Sequence, residues 1–231
     1  MFAISLQTII VFYAFSQFDP SISIPQLVEK TNWIRLEIGA FGAINIEYFL
    51  GVDGLNMPLI LLTSIILIIG VLASWKVRHR TTAYFSLFLL MSTSIYGCFL
   101  ALDLFLFFVF FEFMLLPMFF LIAVWGGIRK EYASIKFFLY TLLGSLFILA
   151  ASIITTLSSE IPELKNPKTS VVEQRTKEHT FNLLALSDKK FYPEKSQLNW
   201  ENPSSILSFD ARAFVFFLFL IGFLIKLPSF P

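Results

Sequence analysis

The sequence predicts an all-α fold, a polytopic bundle of about six transmembrane helices. Three observations lead there. Of 231 residues, 57% are hydrophobic and 14% charged, with a mean hydropathy of +0.77; a soluble domain carries about 25% charged residues. Several apolar runs reach the roughly 20 residues that a helix needs to cross a bilayer. Lipid offers no partner to backbone N–H and C=O groups, so each crossing segment must satisfy its own, as a helix does.

The first run, FAISLQTIIVFYAFSQF, is apolar over residues 2–18. It lacks a basic flank and a small-residue cleavage site, so it reads as a retained short span rather than a signal peptide. Residues 19–54 are mixed and hold Pro20, Pro25 and Gly39; they read as an extramembrane loop with a short amphipathic stretch. The loop closes on IEYFLGVDGL, where Asp53-Gly54 supplies turn and helix-start chemistry. Spans follow at 55–75, 82–101, 103–125 and 132–157, and the last at 209–231, broken at Pro228. Pro58 falls in a first turn, where a missing N–H costs little. Asp103 alone separates two spans, which predicts a tight antiparallel hairpin.

Residues 158–208 interrupt the pattern. They hold seven acidic residues, seven Lys/Arg and four prolines, with no apolar periodicity. Such a stretch reads as a polar extramembrane insertion, partly disordered, and a solvated loop explains it better than a docking surface. Trp200 suits the return to the interface. Short loops set the orientation. Lys76, Arg78 and Arg80 in one, and Arg129 and Lys130 in another, lie on the side of the N-terminus, which becomes the positive-inside face. The insertion then faces the opposite compartment.

The 103–125 span carries the chemistry. From Leu104 to Trp125 every residue is apolar except Glu112. A carboxylate at the centre of a spanning helix costs about 2.5–3.5 kcal/mol on insertion scales, so it is normally kept facing protein or a water-filled cavity. Pro117, five residues on, withholds a donor and crowds the carbonyl of Phe113, which predicts a bend just past the acid. A protonated Glu112 that merely hydrogen-bonds a neighbouring helix is the plainer alternative. Only two bases join it inside apolar segments, Lys136 and Lys226. Lys136 is one turn into its span and can snorkel to the interface. Lys226 reads, by its residues alone, as a basic flank before Pro228 and Pro231. One acid with one or two bases in apolar helices suits a proton relay, because burial moves the pKa of each toward neutrality.

Other chemistries find no support. The single cysteine, Cys98, lies in an apolar run and builds neither a disulfide framework nor an iron–sulfur site. His79 and His179 sit in polar segments and read as surface residues, not metal ligands. There is no phosphate-binding glycine loop or nucleophile elbow. A net charge of +1 without a basic tract gives no reason to expect nucleic acid.

Three stretches carry a resemblance: GVDGL at 51–55, FEFMLLPMFFLIAVWGG at 111–127 with KFFLYTLLGSLFILA at 136–150, and IKLPSFP at 225–231. Together they resemble subunit 4 of proton-pumping NADH:ubiquinone oxidoreductase, respiratory complex I, whose family includes the membrane subunits of sodium/proton antiporters. The resemblance runs over about residues 46–157 and 209–231 and implies an antiporter-like half-channel of membrane helices. Glu112 matches the family's essential glutamate. Lys226 matches the lysine of a helix broken at the prolines that follow, which promotes it from flank to proton site. Lys136 matches a position that is lysine only in some members. Asp53 and Asp103 match recurrent positions that read as structural, as do Pro117 and Pro228.

The resemblance also implies no metal or cofactor in this chain, with NADH, FMN, iron–sulfur clusters and ubiquinone held by other subunits. Membrane-arm subunits and membrane lipids are the implied partners. Two departures from the family stand out. The sequence covers only the family's second to seventh helices, and its 158–208 insertion is longer than the usual link. The expectation is an N-terminal portion, either one part of a split subunit completed by a separate chain that carries the rest, or a fragment of the whole subunit. The 29 phenylalanines suggest a biased organellar genome, hence the mitochondrial inner membrane rather than a bacterial plasma membrane. The rivals are an antiporter subunit with sodium as coupling ion and a structural remnant half.

Overall fold

The computed structural model describes residues 2–22, 24–39, 42–161, 178–193, 196, 198–199, 205–206 and 209–227. It divides into two compact units, the first Met1–Glu29, Leu50–Ala101 and Phe107–Tyr140, the second Lys30–Phe49, Leu102–Leu106 and Thr141–Pro231.

Helices dominate the described residues. They are α1 (Phe2–Gln17), α2 (Asn56–Ala73), α3 (Thr81–Leu100), α4 (Leu104–Phe113), α5 (Leu115–Trp125), α6 (Lys130–Ser158), the short α7 (Leu183–Leu186) and α8 (Ala211–Lys226). Among the described residues four segments are long and apolar enough to cross a bilayer: Asn56–Lys76, Thr81–Leu100, Leu104–Trp125 and Lys130–Ser158. The outer two predicted spans are helices of 16 residues each, about 24 Å at 1.5 Å per residue, short of a hydrocarbon core of about 30 Å.

In the first unit, α1, α2 and α3 share a core of Ile4, Leu67, Val71 and Phe88. Small residues let the helices approach: a Cβ on Gly70 would lie 3.0 Å from the Phe88 ring, and one on Gly97 only 2.3 Å from Phe110. Buried hydroxyls are satisfied locally, as where Ser64 bonds the Ile60 carbonyl and the Tyr96 hydroxyl. The start of α2 is set by Asp53. Its Oδ1 accepts the N–H groups of Leu55 at 2.9 Å and Asn56 at 2.7 Å, while Asn56 Oδ1 accepts the Asp53 N–H. That reciprocal capping fixes orphan donors at a helix start.

Segments that the sequence places in loops hold strands. Residues 26–37 and 43–52 form strands β1 (Gln26–Glu37) and β2 (Ala43–Val52), and β3 (Glu178–Thr180) adds to them in the order β1-β2-β3. β3 runs parallel to β2, with Ala43 opposite Glu178 and Asn45 opposite Thr180. The helical membrane fold stands as expected, and a small sheet that the sequence did not announce accompanies it. Two further short strands, β4 (Ser205–Ile206) and β5 (Phe209–Asp210), pair antiparallel ahead of α8. Along β2 the burial is nearly continuous, so the polar–apolar alternation that marks a strand is lost.

The insertion is likewise more ordered than expected where it is described. Asn182 caps α7 by accepting the N–H groups of Leu184 and Ala185. Phe181 meets Phe105 at a centroid distance of 5.6 Å. His179, read above as a surface residue, is 3% exposed, with its Nδ1 against the Ser159 carbonyl at the end of α6. Pairing of β3 with β2 draws it inside. His79 is exposed, as expected. Residues 162–177 with their charges, Trp200, Pro228 and Pro231 lie outside the described residues.

Candidate functional site

Glu112 is the penultimate residue of α4, and the hydrogen-bond ladder is interrupted between α4 and α5 although Met114 keeps right-handed helical backbone angles (φ −65°, ψ −27°). Pro117 explains the interruption, since it brings no N–H to the Phe113 carbonyl and its ring crowds that turn. The next ladder bond, from Met118 N–H to the Met114 carbonyl, is stretched to 3.5 Å. Pro117 itself is buried. The acid thus stands one residue before Phe113, whose carbonyl gets no ladder donor from Pro117. Its side chain is half-buried, and Oε1 is shielded from solvent. Packing of Phe110 against Gly97 holds α4 close to α3 just before the acid.

Lys136 belongs to the same unit, in the second turn of α6, and is exposed. Its Nζ lies 5.9 Å from the Tyr132 ring centroid, a cation–π distance one helical turn back toward the helix start. This geometry is that of a lysine reaching for the interface. Lys226 belongs to the second unit and ends α8, half-buried, where a cation complements the helix dipole. α8 packs tightly on α6. A Cβ on Gly222 would stand 2.5 Å from Ile148 Cγ1 and 2.8 Å from the Gly144 carbonyl oxygen. Val215 and Ala211 of α8 join Ala151 and Leu198 in a buried cluster.

A polar network missed in the sequence joins the strands to the start of α4. Glu47 on β2 is 9% exposed and receives Lys30 Nζ at 3.0 Å and Asn182 Nδ2 at 3.0 Å. Lys30 also lies 5.0 Å from the Phe49 ring centroid. Asp103, just ahead of the Leu104–Trp125 span, is fully buried. Its Oδ1 accepts the N–H groups of Phe105 and Leu106 at 3.0 Å, and Oδ2 that of Glu47 at 3.2 Å. Desolvation raises the Asp103 pKa above the ordinary carboxylate range, the three backbone donors oppose that, and the charge of Glu47 adds to it. Only IEYF in an apolar context hinted at Glu47, whose partners are distant in sequence. Among the described residues no group of three or more His, Cys, Asp or Glu is placed to hold a metal ion.

Comparison with known proteins adds an independent line. The family model described as NADH:quinone oxidoreductase/Mrp antiporter, TM, matches residues 101–231, and that of NADH-ubiquinone oxidoreductase chain 4, amino terminus, matches 31–108. The first match contains Glu112, Lys136 and Lys226; the second contains Asp53, and both contain Asp103. The chain is 35% identical over 226 residues to the chloroplastic NAD(P)H-quinone oxidoreductase chain 4 of Chlorokybus atmophyticus, covering 98% of this chain and 36% of that one. It is 33% identical over 232 residues to NAD(P)H-quinone oxidoreductase chain 4 of Gloeobacter violaceus, 100% of this chain and again 36% of the relative. The chain therefore spans just over a third of the length of these relatives. A chain of the respiratory complex I of Thermus thermophilus with bound NADH superposes with TM-score 0.68 at 25% identity, over 97% of this chain and 38% of that one. The Mrp complex from Dietzia shares the fold more loosely, with TM-score 0.51 at 22% identity over 67% of this chain.

Proposed function

The chain belongs to the NADH:quinone oxidoreductase/Mrp antiporter family of membrane subunits, as an amino-terminal part of a chain 4, and from that premise we propose that it carries protons across the membrane while NADH oxidation and quinone reduction proceed in other subunits. The observation that carries the reading is Glu112, the only charge in a 22-residue apolar segment, half-buried at a helix break. In this mechanism Glu112 takes up and releases a proton, and its charge state biases Lys226. Asp53, Asp103 and Pro117 serve the frame. Lys136 is the lesser candidate.

The remaining family helices are supplied by further polypeptide, continuing this chain or carried on a separate one, and other membrane-arm subunits flank it. The redox cofactors and the quinone belong to those partners. The membrane is an energy-coupling one, and we place it in the mitochondrial inner membrane on the phenylalanine-rich composition. Recovery of the chain from thylakoids instead would move that assignment, since relatives include chloroplastic forms.

Glu112→Gln tests the function. It keeps shape and hydrogen bonding but removes the ionisable proton. The complex should assemble normally and lose most proton pumping and quinone-linked turnover. Wild-type pumping in that variant would overturn the proposal. Sodium-dependent proton exchange without NADH-oxidising partners would favour the antiporter reading instead.

A further inference from the structure

Two turns meet at one end of the first unit. Trp125, the last residue of α5, donates its indole N–H to the His79 carbonyl oxygen at 2.8 Å, and its ring meets Tyr84 edge-on at 5.2 Å. This pins the turn between α5 and α6 beside the turn between α2 and α3. The second of these is tight enough to hold Arg80 at φ +49°, a left-handed conformation that side chains rarely adopt.

The joined turns are strongly basic. Lys130 is engaged locally, with Nζ on the Val124 carbonyl at 2.8 Å. Lys76, Arg78, Arg80 and Arg129 are exposed, and none forms an ion pair among the described residues. Glu131, exposed in the first turn of α6, is the one acid of this end. Large apolar side chains stand uncovered beside the cations: Trp75 is 68% exposed, Tyr132 65%, and Ile128 entirely so. A water-facing surface would not select that mixture. Trp and Tyr next to Lys and Arg at the ends of spanning helices belong at a bilayer interface.

We propose that this end of the first unit binds the headgroup of an anionic phospholipid, with Arg78, Arg80 and Arg129 on the phosphodiester and Trp75 and Tyr132 among the glycerol and upper acyl groups. Guanidinium forks match phosphate oxygens in pairs, which an ammonium does not. The lipid, rather than a soluble anion, follows from position. All three arginines lie within a few residues of a spanning segment, and the exposed aromatic rings need an acyl surface. The site is independent of the proton path.

The test uses the full chain in phosphatidylcholine nanodiscs, with Trp33→Phe and Trp200→Phe so that Trp75 and Trp125 report. A minor lipid fraction is either brominated phosphatidylglycerol or brominated phosphatidylcholine, and tryptophan quenching is read. Brominated phosphatidylglycerol should quench more. Each arginine changed to Gln should lower that preference about fivefold, the surface-electrostatic value of one basic residue. Lys189→Gln with Lys190→Gln should leave it unchanged. Equal quenching by the two lipids, or a preference that survives Arg78→Gln, Arg80→Gln and Arg129→Gln together, overturns the site. Loss of the preference on adding inorganic phosphate at constant ionic strength overturns the lipid assignment. If the triple variant does not fold, the wild-type chain decides: a preference that persists in high salt refutes the phosphate contacts.

Discussion

Asp103 Oδ2 accepts the backbone N–H of Glu47 at 3.2 Å, so the residue that caps α4 also holds the middle of β2. One carboxylate thereby closes two accounts of unsatisfied backbone, at a helix start and at a strand. The helix it starts is the one that carries Glu112.

Replacing Asp103 separates these roles. Asp103→Ala strands the capped donors and the buried Glu47 N–H, and should cost about 1–3 kcal/mol. Asp103→Asn keeps an acceptor for the cap but loses the tie to β2, so it should cost less. The pH dependence has a definite sign. Burial raises the folded-state pKa of Asp103, so its stabilising contribution is complete below the ordinary carboxylate pKa and is lost as pH rises through the raised value. The stability advantage of wild type over Asp103→Asn should shrink across that window, as read from thermal unfolding in detergent at stepped pH. An advantage that grew with pH would contradict the burial argument.

How much of this was legible in the sequence depends on where each signal resides. The spanning helices were plain, because twenty apolar residues in a row have few alternatives. The break after Glu112 was readable from Pro117, a local effect with a local cause. The sheet was not. β1 is exposed along almost its whole length, and β2 is buried along almost all of its own, so neither shows a two-residue period. β3 is three residues long and finds β2 across more than 130 residues of chain. The burial of His179 and the partners of Glu47 depend on that same long-range pairing. Glu112 stood out because charge in lipid is rare, whereas Glu47 looked like an ordinary loop acid.

The contact between α6 and α8 rests on two glycines. At Gly222 a methyl group would meet the backbone oxygen of Gly144 at 2.8 Å, an obstacle that cannot rotate away. Gly222→Ala should therefore push the helices apart and cost about 1–3 kcal/mol, the range for overpacking. At Gly144 the nearest atom is Cγ2 of Ile225, which Ile225→Ala removes, so Gly144→Ala paired with Ile225→Ala should cost less than the sum of the two single changes. Thermal unfolding of the purified variants measures both. A neutral Gly222→Ala would mean that the helices have room to spare.

The two lysines should part company. Lys226, half-buried at the end of α8, is proposed to couple to Glu112; Lys136 is exposed, with its ammonium at the Tyr132 ring. Lys226→Met should abolish most proton transfer while leaving the complex assembled. Lys136→Met should leave it within about a factor of two, as fits a cation whose environment is already aqueous. Dye-monitored proton uptake in proteoliposomes distinguishes them. Equal losses would make Lys136 a member of the path.

Sidedness follows from the placement of basic residues and is open to direct proof. Lys189 and Lys190 are exposed on a single 3₁₀ turn after α7, and among the described residues four membrane-capable segments separate them from the short loop ahead of α2. Arg78, Arg80 and Arg129 sit in the turns that the positive-inside bias assigns to the other face. Trypsin added to the outer face of sealed vesicles should cut after Lys189 or Lys190 and leave the arginine turns intact. Opening the vesicles should then expose Arg78 and Arg129. Because an even number of crossings separates Lys189 from the short loop ahead of α2, the result also fixes the side of β1 and β2. Cleavage at Arg129 before any at Lys190 would invert the topology, and would carry the strands and the Glu47–Asp103 clamp to the opposite compartment.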